Sequence, residues 1–297
     1  MRPDAHGYAP FKGLPALKEA IASRYARLYQ VELDPEREVA VLPGTKTGLM
    51  EFALCAVERG GTIILPDPGY PDYFSAVALA GARTVPFSGF DEPADALYLN
   101  YPSNPTAITA PEGIFADAVE WAARCGAWVL HDFAYGDLVF DGRRPQSFLV
   151  REGAREVGIE LFSMSKSYGM ASWRLGFALG NAELVSRMET LQAHVLAGIF
   201  RPIQEAGIAA LTGPQDSVEE RPATYERRRD LVLAQLSPLW LCSPTGMTVE
   251  QLLTEHRVVL APGEGFGARG NGWVRLSLVV TDDALDRGLD RLQAALD

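Results

Sequence analysis

Lysine is scarce in this sequence of 297 residues, where only Lys12, Lys18, Lys46 and Lys166 carry an ammonium group. Arginine supplies the other 23 of the 27 basic residues. Because nearly every positive charge is an arginine, each lysine requires a reason specific to its position. Lys166 has unusual neighbours: it lies among serines, glycines and aromatic residues in SMSKSYGMASWRLGF, residues 163–177.

Cysteine is also scarce. Cys55, Cys125 and Cys242 lie far apart and form no CxxC pair, which predicts reduced thiols and a cytoplasmic protein. The four histidines show no metal-ligand spacing, so we expect no structural metal.

Long apolar runs and a basic surface are missing as well. No apolar run approaches membrane-spanning length, and the first residues lack the core of a signal peptide. The net charge of -11 argues against a nucleic-acid or anionic-membrane partner, because both favour basic surfaces. We therefore expect a soluble globular protein.

Short apolar, β-rich runs alternate with helical patterns along most of the chain. The predicted strands are residues 61–68, 94–102, 126–135, 158–165 and 174–181, and the predicted helices are residues 14–29, 111–125 and 182–195. This alternation is typical of α/β proteins, in which a mostly parallel sheet has helices on both faces. We predict such a large domain over 1–215. A smaller α+β domain over 216–297 would contain a long charged helix at 217–236, a short strand, a helix, and a strand at 272–280.

Polar motifs lie at the ends of the predicted strands. Gly44-Thr45-Lys46 precedes a helix, PDPGYPDY and NYPSNP follow two strands, and HDFAY and SMSKS close two more. In such sheets, ligand sites form in the loops that leave the carboxyl ends of the strands. The sequence therefore predicts one site built from these five motifs.

Lys166 is the first candidate in this site. At a strand end between hydroxyl and apolar groups its amine loses solvation, which lowers its pKa toward nucleophilic use. Such an amine can form a Schiff base with an aldehyde cofactor. The alternative is an ordinary surface lysine in a serine-rich turn.

The neighbouring residues offer what a phosphorylated aldehyde requires. Ser163 and Ser165 supply hydroxyl groups, and Arg174 supplies a forked, permanently charged donor. Gly44-Thr45-Lys46 opens a helix whose free amides form an anion site. We assign the backbone of Lys46, and not its ammonium group, to the phosphate.

Asp132 ends a strand that is otherwise apolar, where a carboxylate is costly unless a cation pairs with it. A protonated pyridine nitrogen would be such a cation, and His131 or an arginine is the alternative. Tyr135 and Asn104 could each donate a hydrogen bond to a cofactor oxygen, and Tyr70 could stack on a flat ring.

Taken together, these motifs resemble the pyridoxal-phosphate-dependent aminotransferases of fold type I, class I/II. The resemblance covers nearly the whole chain through GYAPFKG, PGTKTG, PDPGYPDY, YPSNPT, HDFAYGDLVFDG, ELFSMSKSYGMASWRLGF and WVRLSL, in that order. It implies the fold of that family, pyridoxal 5'-phosphate as cofactor, and a homodimer. HDFAYGDLVFDG, ELFSMSKSY and YERRRDLV most resemble the branch that holds the alanine and LL-diaminopimelate aminotransferases.

The resemblance also implies a role for each candidate. Lys166 becomes the Schiff-base lysine that also moves the substrate proton, and Asp132 becomes the partner of the pyridinium nitrogen. Tyr135 and Asn104 contact the phenolate oxygen of the ring, and Asn104 also meets the substrate. The other assignments are Tyr70 for ring stacking, Thr45, Lys46, Ser163, Ser165 and Arg174 for the phosphate, Tyr8 for the phosphate of the partner subunit, and Arg275 for the substrate carboxylate.

The implied activity is the transfer of an amino group between a small amino acid and a 2-oxo acid. A β-elimination lyase is an alternative, because it begins with the same removal of the α-proton. A cofactor-binding protein with lost or weakened catalysis is another, although binding alone would not require Lys166, Asp132 and Arg275 together.

The sequence departs from the family pattern at several points. Ala107 and Ser172 stand where the family usually has glycine, and the stretch 229–263 is shorter than we expect. The family segment that precedes Tyr8 and helps to close over substrate has no counterpart. We therefore expect a dimer that binds cofactor well but transaminates slowly, with weak side-chain discrimination. The alternative is that the natural start lies upstream of Met1 and that the missing segment is encoded there.

Overall fold

A seven-stranded sheet forms the centre of this computed structural model, which describes residues 6–236 and 248–295. In chain order its strands are β1 (Val39–Leu42), β2 (Thr62–Leu65), β3 (Arg83–Pro86), β4 (Ala96–Asn100), β5 (Trp128–Asp132), β6 (Gly158–Ser163) and β7 (Gly176–Gly180). Across the sheet the order is β1-β7-β6-β5-β4-β2-β3. Only β7 is antiparallel to its neighbours, β1 and β6. The prediction of a mostly parallel sheet is confirmed.

All five predicted strands form, as β2, β4, β5, β6 and β7, and each is shorter than predicted. Their polar ends leave the hydrogen-bonded ladder and enter the loops. The sequence did not predict β1 and β3. β1 is a buried run of only four residues, and β3 is an edge strand with mostly exposed side chains, so neither gives a long apolar signal.

Helices connect the strands. In the described residues they are α1 (Pro15–Tyr29), α2 (Thr45–Ala56), α3 (Pro71–Ala80), α4 (Ile114–Cys125), α5 (Ala154–Val157), α6 (Met164–Ser167), α7 (Ala182–Val195), α8 (Arg201–Thr212), α9 (Asp216–Gln235), α10 (Val249–Thr254) and α11 (Asp282–Ala294). The predicted helices correspond to α1, α4, α7 and the long charged α9. α4 starts three residues later than predicted, because Gly113 with a φ of 84° forms its N-cap.

Both faces of the sheet are buried, as the alternation of side chains along its strands shows. On β4, Leu97 and Leu99 belong to one apolar cluster and Ala96 and Tyr98 to the other. The first cluster contains side chains of α1, α4 and α8, and the second contains side chains of α2, α3 and α7. Each fully buried aliphatic or phenylalanine side chain contributes about 1.5–3 kcal/mol, so these two layers stabilise the sheet.

The C-terminal part has its own small core and sheet. Leu252, Val258, Leu260 and Leu292 form a separate apolar cluster, and β8 (Ala261–Pro262) pairs with β9 (Val274–Arg275). The strand predicted at 272–280 therefore forms over two residues only. The short strand predicted before α10 would fall at 237–247, outside the described residues. The domain boundary after residue 215 stays a prediction.

The buried carboxylate of Glu160 connects α1, β5 and the segment that contains Ser147 to β6. Glu160 of β6 is fully buried and accepts hydrogen bonds at Oε1 from the Tyr25 hydroxyl (2.6 Å) and the Ser147 hydroxyl (2.9 Å). Its Oε2 accepts from the Phe148 amide at 2.7 Å and lies 2.8 Å from His131 Nδ1. Because four donors converge on it, this carboxylate stays satisfied without water and fixes the segment before residue 148 to the sheet.

In the described part of the chain, no helix is both long enough and apolar enough to cross a membrane. Over the same residues no group of three or more His, Cys, Asp or Glu side chains is arranged to hold a metal ion. Cys55 and Cys125 are half-buried free thiols, and Cys242 lies outside the described residues.

Candidate active site

The carboxyl ends of six strands, β1 to β6, lie at one edge of the sheet, which we call the carboxyl edge, and polar motifs follow five of them. β2, β4, β5 and β6 run parallel, and β1 runs in the direction of β6 because both are antiparallel to β7. The five polar motifs therefore lie at this edge. β7 begins where the other strands end, so it also brings Arg174, two residues before its start, to the carboxyl edge.

Lys166 lies in α6, the single turn that follows β6. The turn is capped by Ser163, whose Oγ accepts the amide hydrogen of Ser165 at 3.2 Å. Lys166 is half-buried, and its Nζ lies 5.5 Å from the centroid of the Tyr135 ring. Burial lowers the pKa of this amine below its usual value, and nearby arginine charges lower it further, whereas Asp132 opposes the shift. This environment differs from that of an exposed lysine in a turn.

Asp132 is the last residue of β5 and is only 6% exposed. The Tyr73 hydroxyl donates to its Oδ2 at 2.7 Å, and the Ala134 amide donates to its Oδ1 at 3.1 Å. Within residues 6–236 and 248–295, no ion pair within 4.0 Å includes this carboxylate. Burial raises its pKa above the usual value, and the two hydrogen bonds, together with weaker effects of the His131 and Lys166 charges, only partly oppose this. A buried carboxylate that has donors but no cation is suited to receive a cationic ligand atom.

His131 precedes Asp132 on β5 and therefore points to the opposite face of the sheet. Its Nδ1 lies 2.8 Å from Glu160, and its Nε2 lies 3.1 Å from the carbonyl oxygen of Tyr101. Both ring nitrogens therefore have hydrogen-bond partners other than Asp132. In the described structure, neither His131 nor an arginine is the partner of Asp132.

Two residues that position Asp132 were not predicted. Tyr73 lies one helical turn after Tyr70 on α3 and is fully buried, so the spacing of the two tyrosines in PGYPDY was the available signal. Asn100 ends β4, and its Nδ2 donates to the carbonyl oxygen of Asp132 at 2.9 Å. Its Oδ1 accepts the amide hydrogen of Asn104 at 2.7 Å. Like Asp132, Asn100 is a polar residue that ends an apolar strand.

Arg275 of β9 reaches across to the loop that follows β4. Its Nη1 donates to Asn104 Oδ1 at 2.9 Å, and its guanidinium lies 4.8 Å from the centroid of the Phe266 ring. Burial and Asp132 raise the pKa of the Tyr135 hydroxyl, whereas Arg275 and a hydrogen bond with Asn104 lower it. The structure therefore brings Arg275, Asn104 and Tyr135 together. Phe266 was not predicted, and no motif in the sequence pointed to it.

The start of α2 and Arg174 form a corner suited to an anion. Gly44 precedes α2 with a φ of 87° and has no side chain to cap the helix, so the first amides are available to an anion. A Cβ on Gly44 would lie 2.3 Å from Arg174 Nη2, so a glycine is required for the guanidinium to pack there. Ser163 adjoins this corner because it pairs with Gly176, whose Cβ, if present, would lie 3.1 Å from the Thr45 amide nitrogen.

The remaining predicted site residues are placed differently. The Lys46 ammonium pairs with Asp72 at 3.0 Å, which leaves its backbone as the part available to an anion. Tyr70 is half-buried, and its ring lies 5.6 Å from the Tyr73 ring at 78°. Tyr8 is 88% exposed, and the centroid of its ring lies 6.5 Å from that of the Phe11 ring. Tyr8 therefore contributes little to the cluster within one chain.

The cluster combines three chemical features at the carboxyl edge. Lys166 offers an amine with a lowered pKa, Asp132 offers a buried carboxylate without a cation, and the corner at Gly44 and Arg174 offers donors to an anion. These features fit a ligand that carries a carbonyl group, a cationic ring nitrogen and a phosphate.

Known proteins match this chain along nearly its whole length. The model of the family described as "Aminotransferase class I and II" matches residues 1–292. An L-glutamine--4-(methylsulfanyl)-2-oxobutanoate aminotransferase of Bacillus subtilis (strain 168) is 41% identical over 98% of this chain and 81% of its own. An LL-diaminopimelate aminotransferase of Desulforudis audaxviator is 39% identical over 99% of this chain and 83% of its own.

Solved structures agree with the sequence matches. The substrate-bound BacF structure from Bacillus subtilis superposes with a TM-score of 0.94 at 36% identity, covering 99% of this chain and 84% of that one. The aligned span with the first relative is 323 residues, longer than the 297 residues of this chain, so that relative carries internal residues with no counterpart here. The predicted shortening at 229–263 stays a prediction.

The buried carboxylate gives a prediction about stability. The pKa of Asp132 is higher in the folded than in the unfolded state. This carboxyl group therefore contributes to the stability of the fold at low pH, and the contribution is lost as the pH rises through the pKa of the folded state. We expect Asp132→Asn to raise the melting temperature of the ligand-free protein by a few degrees at pH 7.5, with the gain shrinking toward pH 4. Calorimetry across this range measures it.

The matched control for this prediction is Asp91→Asn, because Asp91 is exposed. This variant is expected to leave the melting temperature unchanged at every pH. A loss of stability in Asp132→Asn at pH 7.5 would show that a cation already compensates the carboxylate.

Proposed function

We propose that this chain, which belongs to the class I and II aminotransferase family, uses pyridoxal phosphate to move an amino group between a small amino acid and a 2-oxo acid. Aminotransferase activity follows from membership of the family. The cofactor and the roles of individual residues are the proposal. The observation that carries them is the buried Asp132 carboxylate, which has two donors, forms no ion pair with any described residue, and lies at the same edge as Lys166.

The residues of the carboxyl edge would hold the cofactor at each of its groups. Lys166 would bind its aldehyde carbon, Asp132 its ring nitrogen, Tyr70 the ring face, and Asn104 and Tyr135 the ring oxygen. The phosphate would lie against Thr45, Lys46, Ser163, Ser165 and Arg174, with the amides of α2 supplying donors. When bound, pyridoxal phosphate supplies an electron sink for the negative charge that develops at the substrate α-carbon.

Lys166 would move the substrate proton. A base works best when its pKa lies near the working pH, and burial together with the charges of Arg275 and Arg174 moves the Lys166 amine in that direction. In the neutral form, its Nζ can take the proton from the substrate α-carbon and return it at the next step. Asp132 stays ionised beside a cation, because an opposite charge favours the carboxylate form.

Arg275 would bind the substrate carboxylate through two parallel hydrogen bonds. The contact with Asn104 and the Phe266 ring already orient the guanidinium, so less side-chain entropy is lost when substrate binds. The relatives that match this chain are aminotransferases by name, so the lyase alternative has no support among them.

Two further features belong to this proposal. A homodimer is supported by the exposure of Tyr8 and Phe11, at 88% and 48%, in a segment that the family uses between subunits. A cytoplasmic location is supported by the scarcity of cysteine and by the free thiols of Cys55 and Cys125 in the described structure. The expected slow turnover stays a prediction.

We predict that borohydride reduction fixes pyridoxal phosphate on the peptide that contains Lys166, and that Lys166→Ala loses both the label and the activity. Turnover is expected to fall by at least roughly 10²-fold, the usual contribution of a positioned base. The assay pairs glutamine with 4-(methylsulfanyl)-2-oxobutanoate, LL-diaminopimelate with 2-oxoglutarate, and alanine with 2-oxoglutarate. Peptide mapping locates the label.

Lys46→Ala is the matched control, because Lys46 lies at the same edge but its ammonium pairs with Asp72. This variant should keep the label on Lys166. A label on Lys46 in the wild-type protein would refute the assignment of Lys166.

Arg275→Lys is predicted to raise the KM for every accepted amino acid by about tenfold or more. Lysine offers a point charge in place of the two parallel donors of arginine, and a loss of about 1.4 kcal/mol in binding free energy corresponds to a tenfold change. The absorption spectrum of the bound cofactor should not change. Steady-state kinetics with Arg269→Lys, an exposed arginine near the same small sheet, serves as the control. An unchanged KM in Arg275→Lys would mean that another residue binds the carboxylate.

A further inference from the structure

A second concave site lies beside the active site and shares none of the residues assigned above. It is a cavity of about 520 Å³ between the end of β4 and the segment 139–151. Tyr101 and Pro102 line it, together with Thr109, Ala110 and Glu112 from the segment before α4. Its volume lies in the usual range for small-molecule sites. We call it the arginine cavity.

Three arginines line this space in a chain whose net charge is -11. They are Arg143, Arg144 and Arg151, and among the described residues Glu112 is the only acidic one that lines the cavity. Arg143 donates to the Thr109 hydroxyl at 2.8 Å, which is a neutral partner. In the described part of the chain, no ion pair includes any of the three arginines.

The segment that carries the arginines is fixed at both ends. At one end, the guanidinium of Arg229 in α9 donates two hydrogen bonds of 2.8 Å to the Asp141 carboxylate. Glu226 accepts the Asp141 amide hydrogen at 2.8 Å, and these contacts hold Asp141 at a φ of 59°. At the other end, Ser147 is bonded to the buried Glu160. Arg143 and Arg144 are therefore presented on a short segment held on both sides.

We propose that the arginine cavity binds a small polyanion with two or more phosphate or carboxylate groups. Three forked donors around one concavity match several oxyanion groups at once, which a single phosphate would not engage. A nucleic acid is disfavoured, because the whole chain is acidic and this positive region is confined to a cavity. The site is separate from the anion corner at Gly44 and Arg174.

Calorimetric titration of the purified protein, saturated with pyridoxal phosphate, tests the proposal at 150 mM salt. Pyrophosphate and citrate are the two probes, and the tighter one identifies the phosphate or the carboxylate source. At least one probe is expected to bind saturably with one site per chain. Arg143→Ala/Arg144→Ala should weaken that binding at least tenfold.

The matched control is Arg37→Ala/Arg59→Ala, which removes two exposed arginines elsewhere and the same total charge. It should bind the probe like the wild type. Glu112→Gln removes the one acidic group of the cavity and should tighten binding several-fold, which tests the proposal even if the double variant fails to fold. Arg174→Ala should leave binding unchanged.

Three results would overturn the proposal. They are no saturable binding of either probe, an equal loss in the Arg37→Ala/Arg59→Ala control, and a loss in Arg174→Ala while Arg143→Ala/Arg144→Ala still binds. The last result would place the anion in the active site instead. None of these outcomes depends on transamination, so the proposed function is tested separately.

Discussion

A buried carboxylate that forms no ion pair with any described residue is the constraint around which the site is built. Asp132 ends β5 inside the protein, where burial alone would favour its protonated form. The Tyr73 hydroxyl and the Ala134 amide hold its two oxygens in place, and neither contributes a positive charge. His131, its neighbour in the chain, points to the other face of the sheet, where its Nδ1 lies 2.8 Å from Glu160 Oε2. The Asp132 carboxylate is therefore available to pair with a cationic ligand atom.

The topology explains why the other groups surround this carboxylate. Six strands end at the carboxyl edge and the antiparallel β7 starts there. Arg174 and Lys166 therefore lie at the same edge although a turn and a loop separate them in the chain. Arg275 comes from the C-terminal part and contacts Asn104 from the loop after β4. The site therefore needs both the rigid sheet and the small two-stranded sheet. A change in either one would separate charges that act on the pKa of Lys166.

Sequence reasoning predicted the positions of residues at strand ends and missed those that depend on packing. Lys166, Asp132 and Asn104 were predictable because polar residues that end apolar strands lie at the carboxyl edge. Tyr73 was missed because its contact depends on how α3 lies against β5. The pairing of His131 with Glu160 depends on the register between β5 and β6. The arginine cavity depends on Arg229 of α9 reaching Asp141, 88 residues earlier in the chain.

Infrared titration most directly tests the proposed pairing of the Asp132 carboxylate with a cationic ring nitrogen. Asp132→Asn identifies the carboxyl band of Asp132 in difference spectra of isotope-labelled protein, recorded against pH with and without pyridoxal phosphate. The account predicts that the pKa of Asp132 is raised in the ligand-free protein and falls when the cofactor binds, because a nearby cation favours the ionised form. An identical titration in both states would contradict it.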